Sequence, residues 1–176
     1  MTPIEDVSVA AQLSAWIHQA LDAHHAITAQ LPRLEQLAGE SADANQDEPE
    51  CRALRETSAE LSASISSLFD RESRMIFPML RRLADQTSIS PCRAGSVSAW
   101  VRQMIRMQTQ IQEGLNHLRE LATAHLSPVG PCESCHNLLS QANLIANAFE
   151  KQAEFERKSL FDWAIIFEEE LICRST

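Results

Sequence analysis

FEKQAEFERKSLFDW, running from Phe149 to Trp163, carries Phe149, Gln152, Glu156, Leu160 and Trp163 three or four residues apart. At helical periodicity those five side chains share one face. Such a face is buried in a globular protein, yet Gln152 and Glu156 are polar and Glu156 is a carboxylate. Burying a carboxylate is costly unless it is paired, protonated or metal-bound. The reading of the chain turns on whether other segments bring inward-facing partners to Glu156.

The same stripe extends back through Leu138, Ala142 and Ile145, and three similar stripes precede it. The first runs Leu13, Ile17, Leu21, His24, Ile27 or Thr28, Leu31 and Leu34. It follows a Thr2-Pro3-Ile4-Glu5 capping box, with Pro32 bending the helix and Gly39 stopping it. The second runs Leu54, Ser58, Leu61, Ile65, Leu68, Glu72, Met75 or Ile76, and Met79, and Pro78 implies a kink near Ile76-Phe77. The third runs Val101, Met104, Gln108, Ile111, Leu115, Leu118 and Ala122, with Ser96 as its cap. Polar or Pro- and Gly-bearing loops separate them. Four amphipathic helices, about 3–38, 51–85, 96–125 and 133–171, predict one all-α domain over 1–176, an up-down-up-down antiparallel four-helix bundle.

Composition narrows the classes. At 176 residues the chain is long enough for a real core, and four Gly and seven Pro favour helix throughout. A net charge of -9 speaks against nucleic acid or an anionic membrane as partner. No apolar run reaches the roughly 20 residues needed to span a bilayer. Glu5 and Asp6 sit where a signal peptide would be basic and then apolar. The odd, scattered set Cys51, Cys92, Cys132, Cys135 and Cys173 fits reduced thiols, so a cytoplasmic protein is expected.

The seams together carry His24, Glu72, Gln108, Gln152 and Glu156, at least one from each helix and all near mid-helix. In an antiparallel bundle they can meet in one layer. Inward Glu and His from facing helices build carboxylate-bridged metal sites, and iron or manganese accepts both donor types. The same residues can instead form a buried hydrogen-bond network that fixes helix register.

Several segments resemble the hemerythrin-like (HHE) domain: IHQALDAHHAITAQLPRLEQLA, LSASISSLFDRESRMIFPMLRRL, the third stripe, and PCESCHNLL with FEKQAEFERKSLFDWAI. The most specific points are His24 to Leu31-Pro32, Glu72 with Phe77-Pro78-Met79, and Glu156 before Leu160-Phe161. The likeness is greatest to the di-iron branch linked to repair of iron–sulfur clusters under nitrosative and oxidative stress. That resemblance implies a His on helix one, His-x3-Glu on helix two, His on helix three and His-x3-Glu on helix four. Here those positions read His24, Leu68-x3-Glu72, Gln108 and Gln152-x3-Glu156, and a further His found after helix one in some of these proteins is missing. Three imidazoles are replaced by Leu68, Gln108 and Gln152, which bind metal weakly or not at all. The resemblance therefore implies a degenerate di-iron site in a non-enzymatic sensing or interaction module, with an unidentified protein partner, in a stress-response setting. The competing expectation is an iron protein, mononuclear or altered dinuclear, with its metal at His24, Glu72 and Glu156.

Cys132-Glu-Ser-Cys135-His136 matches the covalent haem pattern, but haem attachment follows export, and a thiol redox switch at Cys132 and Cys135 fits better. Glu113 and His117, and the arginines Arg71, Arg74, Arg81 and Arg82, read as solvated faces, and Met104 and Met107 as core packing. No Ser-His-Asp set, phosphate loop or zinc-protease motif is present.

Overall fold

The computed structural model describes residues 9–43, 49–85, 96–124 and 133–174. Among them all regular structure is helical: α1 (Val9–Thr28), α2 (Leu31–Asp43), α3 (Pro49–Arg71), α4 (Phe77–Ala84), α5 (Ser96–Ala124), α6 (Glu133–Phe155) and α7 (Asp162–Arg174). Two π-helical turns, π1 (Glu72–Ile76) and π2 (Glu156–Phe161), join α3 to α4 and α6 to α7. The elements form four helices packed as a bundle, α1–α2, α3–π1–α4, α5 and α6–π2–α7. α2 packs on α3 and α6, and α5 on α3 and α6, while α1 meets α4 and α6, and α7 meets α5 and α4.

The first helix is broken at Ala29-Gln30 rather than bent within a continuous rod. Pro32 is the second residue of α2, where a missing N–H costs nothing, so the break falls just ahead of it. Gln141 of α6 holds the break by donating to the Gln30 carbonyl at 3.3 Å and to Gln30 Oε1 at 3.0 Å. Gly39 does not stop the helix: α2 continues to Asp43. Buried Leu37, Ala38 and Ser41 keep that turn against the core, and Gln36 donates to Glu40 across the glycine at 2.7 Å. The Thr2-Pro3-Ile4-Glu5 box lies outside the described residues.

The seams are buried as the spacing predicts up to the two glutamates, and differ after them. Beyond Glu72 the inward residues are Ile76, Phe77, Leu80 and Leu83, while Met75 is 43% exposed and Met79 only partly buried. Beyond Glu156 they are Leu160, Phe161, Ala164 and Glu168, and Trp163 is only partly buried. Each π turn carries an extra residue and rotates the following helix, moving the core stripe one position along the sequence. Its signature is a bond from the Phe77 N–H to the Glu72 carbonyl, and from the Asp162 N–H to the Arg157 carbonyl. Pro78, expected to kink the helix, falls in the first turn of α4 directly after π1.

The N-terminus of α5 is capped from a distance. Buried Glu168 of α7 accepts from the Val97 N–H (3.2 Å), the Ser98 N–H (3.0 Å) and the Ser98 hydroxyl (2.6 Å). A carboxylate on the free donors of a helix start is favoured by hydrogen bonding and by the helix dipole. The Ser96 side chain, expected as the cap, lies outside the described residues. Glu168→Ala strands these donors and is expected to lower unfolding free energy by about 1–3 kcal/mol, with Glu168→Gln losing less. Urea unfolding of the three proteins checks this, and an unchanged midpoint in Glu168→Ala would remove the cap from the account.

Candidate functional site

The π turns set the site. Glu72 and Glu156 are the first residues of π1 and π2, so each carboxylate enters the core where its helix widens. Local departures of this kind concentrate at functional sites. His24 of α1, Gln108 of α5 and Gln152 of α6 complete the layer, and all five side chains are buried.

The layer is one connected hydrogen-bond network. His24 Nε2 donates to Glu156 Oε1 at 2.7 Å, and Gln152 Nε2 donates to the same oxygen at 2.8 Å. Gln108 Nε2 donates to Glu156 Oε2 at 2.7 Å and, at the long limit of 3.5 Å, to Glu72 Oε1. Glu156 is thus met by a donor from each of three side chains. Glu72 has one weak donor, and although its Oε2 lies 3.3 Å from His24 Nε2, that contact is too poorly aimed to count as a hydrogen bond. The imidazole is clamped flat on Phe69, with ring centroids 3.9 Å apart and planes 8° from parallel, and Phe77 stacks at 5.7 Å. His24 Nδ1 is buried without a partner. A bare nitrogen lone pair there costs less than a stranded N–H, which assigns the proton to Nε2.

Burial first, and then the charge of Glu156, holds the Glu72 carboxyl well above its ordinary value of 4.5, with the Gln108 hydrogen bond pulling the other way. Burial therefore favours the neutral form of Glu72, the carboxyl with fewer donors.

Of the residues singled out in the sequence, His24, Glu72 and Glu156 converge, with one ligating atom from each lying within 4.8 Å of the others. Among the described residues no other group of three His, Cys, Asp or Glu does so. Gln108 and Gln152 join them. Leu68, one helical turn before Glu72, is fully buried in the apolar core. Cys132 lies outside the described residues, as does the Cys135 side chain, and His136 is exposed. His117 is exposed and faces Glu120 at 4.0 Å rather than Glu113. The seam pattern did not contain Arg157. Its Nε donates to Gln108 Oε1 at 3.0 Å and its terminal nitrogen to Thr109 Oγ1 at 3.3 Å.

The donor chemistry does not fit a two-iron centre. One imidazole and two carboxylates converge, but both glutamines present N–H groups where a metal needs lone pairs, and Leu68 presents none. The 2.7 Å separation of His24 Nε2 and Glu156 Oε1 is that of a charge-assisted hydrogen bond. Compared with known proteins, the chain matches no family model and no curated sequence. No helix among the described residues is long and apolar enough to cross a membrane.

The raised Glu72 value makes stability pH-dependent with a defined sign. Above about pH 4.5 the unfolded chain releases a proton that folded Glu72 retains. Its contribution is therefore full below that pH and is lost as pH rises toward the raised value. Glu72→Gln cannot ionise and is expected to be the more stable protein at neutral pH, with the two converging near the ordinary carboxylate range. Urea unfolding against pH checks this, and parallel profiles would show that Glu72 titrates normally.

Proposed function

We propose that this chain is a hemerythrin-like bundle of up-down-up-down topology in which the metal layer has been replaced by a hydrogen-bonded one. It serves as a non-enzymatic sensing or interaction module, in the stress-response setting that the resemblance implies. The observation that carries this reading is the orientation of Gln108: its amide nitrogen faces both carboxylates while its oxygen accepts from Arg157. A polar layer of this kind specifies register and partner helices because every misalignment strands a buried donor. The deciding measurement is iron content and visible absorption of untagged protein, beside the same chain carrying Leu68→His, Gln108→His and Gln152→His. The parent is expected colourless and iron-free, and the triple variant is expected to take up iron with charge-transfer absorption. A folded triple variant that binds none would mean that these positions do not correspond to the family's ligands.

A second reading, a single divalent metal held by His24, Glu72 and Glu156, is favoured by their convergence within 4.8 Å and by the unpartnered Glu72 Oε2. It requires near-stoichiometric metal in the purified parent, and loss of that metal in His24→Ala. Parent protein without metal removes this reading.

A further inference from the structure

Among the described residues, the one charged group outside the seams that touches this layer's hydrogen bonds is Arg157. Arg157 follows Glu156 directly, is partly buried, and bridges Gln108 and Thr109 of α5. A guanidinium offers five N–H donors and no acceptor, so only the carbonyl end of the Gln108 amide can face it. That fixes an assignment which amide geometry alone leaves ambiguous. Turned over, the amide would set its nitrogen against the guanidinium and its oxygen against Glu156 Oε2, at a contact now 2.7 Å long. Both contacts would become repulsive. Arg157 and Gln108 also line an open cleft of about 470 Å³ together with Gln112, Glu150, Glu154 and Lys158. The pair therefore stands between an open cleft and the buried carboxylates, and the Arg157 guanidinium is the cleft's charged group in contact with the layer, while Lys158 is paired with Glu154.

We propose that Arg157 is a positioning residue that bars divalent cations from the layer, by holding the Gln108 amide nitrogen-inward and by placing its own charge at the cleft. The inference rests on the hydrogen-bonded reading of the layer. Released from Arg157, Gln108 can turn its oxygen inward, where it joins the two carboxylates, ionised with any proton released to solvent, and His24 Nε2, its proton moved to Nδ1, as a fourth metal donor. Oxygen and imidazole donors in that mixture suit Mn²⁺, Fe²⁺ or Co²⁺. A glutamate at the same position would enforce the turned amide, because a carboxylate accepts from the amide nitrogen and repels its oxygen.

The test uses Co²⁺ alone as probe on the full chain, read by calorimetry and by the visible ligand-field spectrum. Each variant is first checked for helix content. The parent and Arg157→Lys, which keeps a charged donor, are expected to show no saturable binding. Arg157→Glu is expected to bind one Co²⁺ saturably, with an affinity roughly ten- to a hundredfold above the weakest that the measurement can detect in the parent, the size of effect that an outer hydrogen-bond partner has on a metal ligand. Arg157→Met, which removes the donor without adding charge, is expected to gain in the same direction but less. The gain must disappear in Arg157→Glu/Gln108→Leu and in Arg157→Glu/His24→Ala. Folded Arg157→Glu and Arg157→Met proteins with no gain overturn the proposal and leave the hydrogen-bonded layer standing. A gain that survives Gln108→Leu also overturns it, since added charge alone would then explain the binding. Parent protein that binds Co²⁺ stoichiometrically and loses it in His24→Ala removes the reading on which the proposal rests.

Discussion

Two carboxyl groups brought into one buried layer lose their hydration and repel each other, and the centre of this bundle is arranged around that cost. It is met unequally. Glu156 receives donors from His24, Gln108 and Gln152, whereas Glu72 has one long contact and burial holds its carboxyl well above its ordinary value. The asymmetry follows from the helices, because Gln152 lies one turn before Glu156, while the matching position before Glu72 is Leu68. With members on all four helices, sliding any one of them would strand a buried donor or an acceptor. The layer thus couples the registers of the whole bundle in a way that its leucines and isoleucines, which tolerate shifted packing, do not.

The aromatic wall around His24 contributes through exclusion. Phe69 and Phe77 stack with the imidazole, and Phe149 stacks near Phe69 at 6.1 Å. Keeping water out strengthens the donors that are aimed well and makes an unaimed atom more costly, as at His24 Nδ1 and Glu72 Oε2. Such atoms persist where surrounding packing over-determines them, and here the ring is fixed by stacking rather than by its second nitrogen.

Much of this was legible in the sequence because a four-helix seam is periodic. The third stripe is buried residue for residue, and the five polar members of the layer all fall at inward positions of the stripes. Periodicity fails where the helix itself departs from 3.6 residues per turn. After Glu72 and Glu156 the wider turns move Phe77, Leu80, Phe161 and Ala164 inward and leave Met75 and Trp163 less covered. Pro78 marks the first departure, but no proline marks the second, so composition does not announce it. The same slip hides Glu168, whereas Arg157 escapes the seam pattern for a different reason. Glu168 lies beyond the second wide turn, where the straight-helix count has slipped by one. Arg157 sits beside the seam and acts through Gln108, and its role depends on the facing helix. Phe69 is likewise adjacent to a seam position, Leu68, and only its stack on His24 gives it meaning.

The difference between a metal layer and a hydrogen-bonded one can be stated as a rule about direction. Around a cation every inward group points a lone pair at the centre, and the ion's charge holds the ligands together. Without the cation, donors and acceptors must alternate, and the number of N–H groups has to match the carboxylate oxygens that need them. Glutamine is suited to the second arrangement because one amide supplies two donors on the inward side and one acceptor behind. That acceptor must itself be satisfied by something that can only donate, which is what Arg157 supplies to Gln108. Gln152 needs no such backing to serve one oxygen of Glu156, since it reaches along its own helix by a single turn. The donor role of Gln108 is therefore not complete with the residue itself: its amide oxygen is met by a charged neighbour one position past the carboxylate that the amide nitrogen serves.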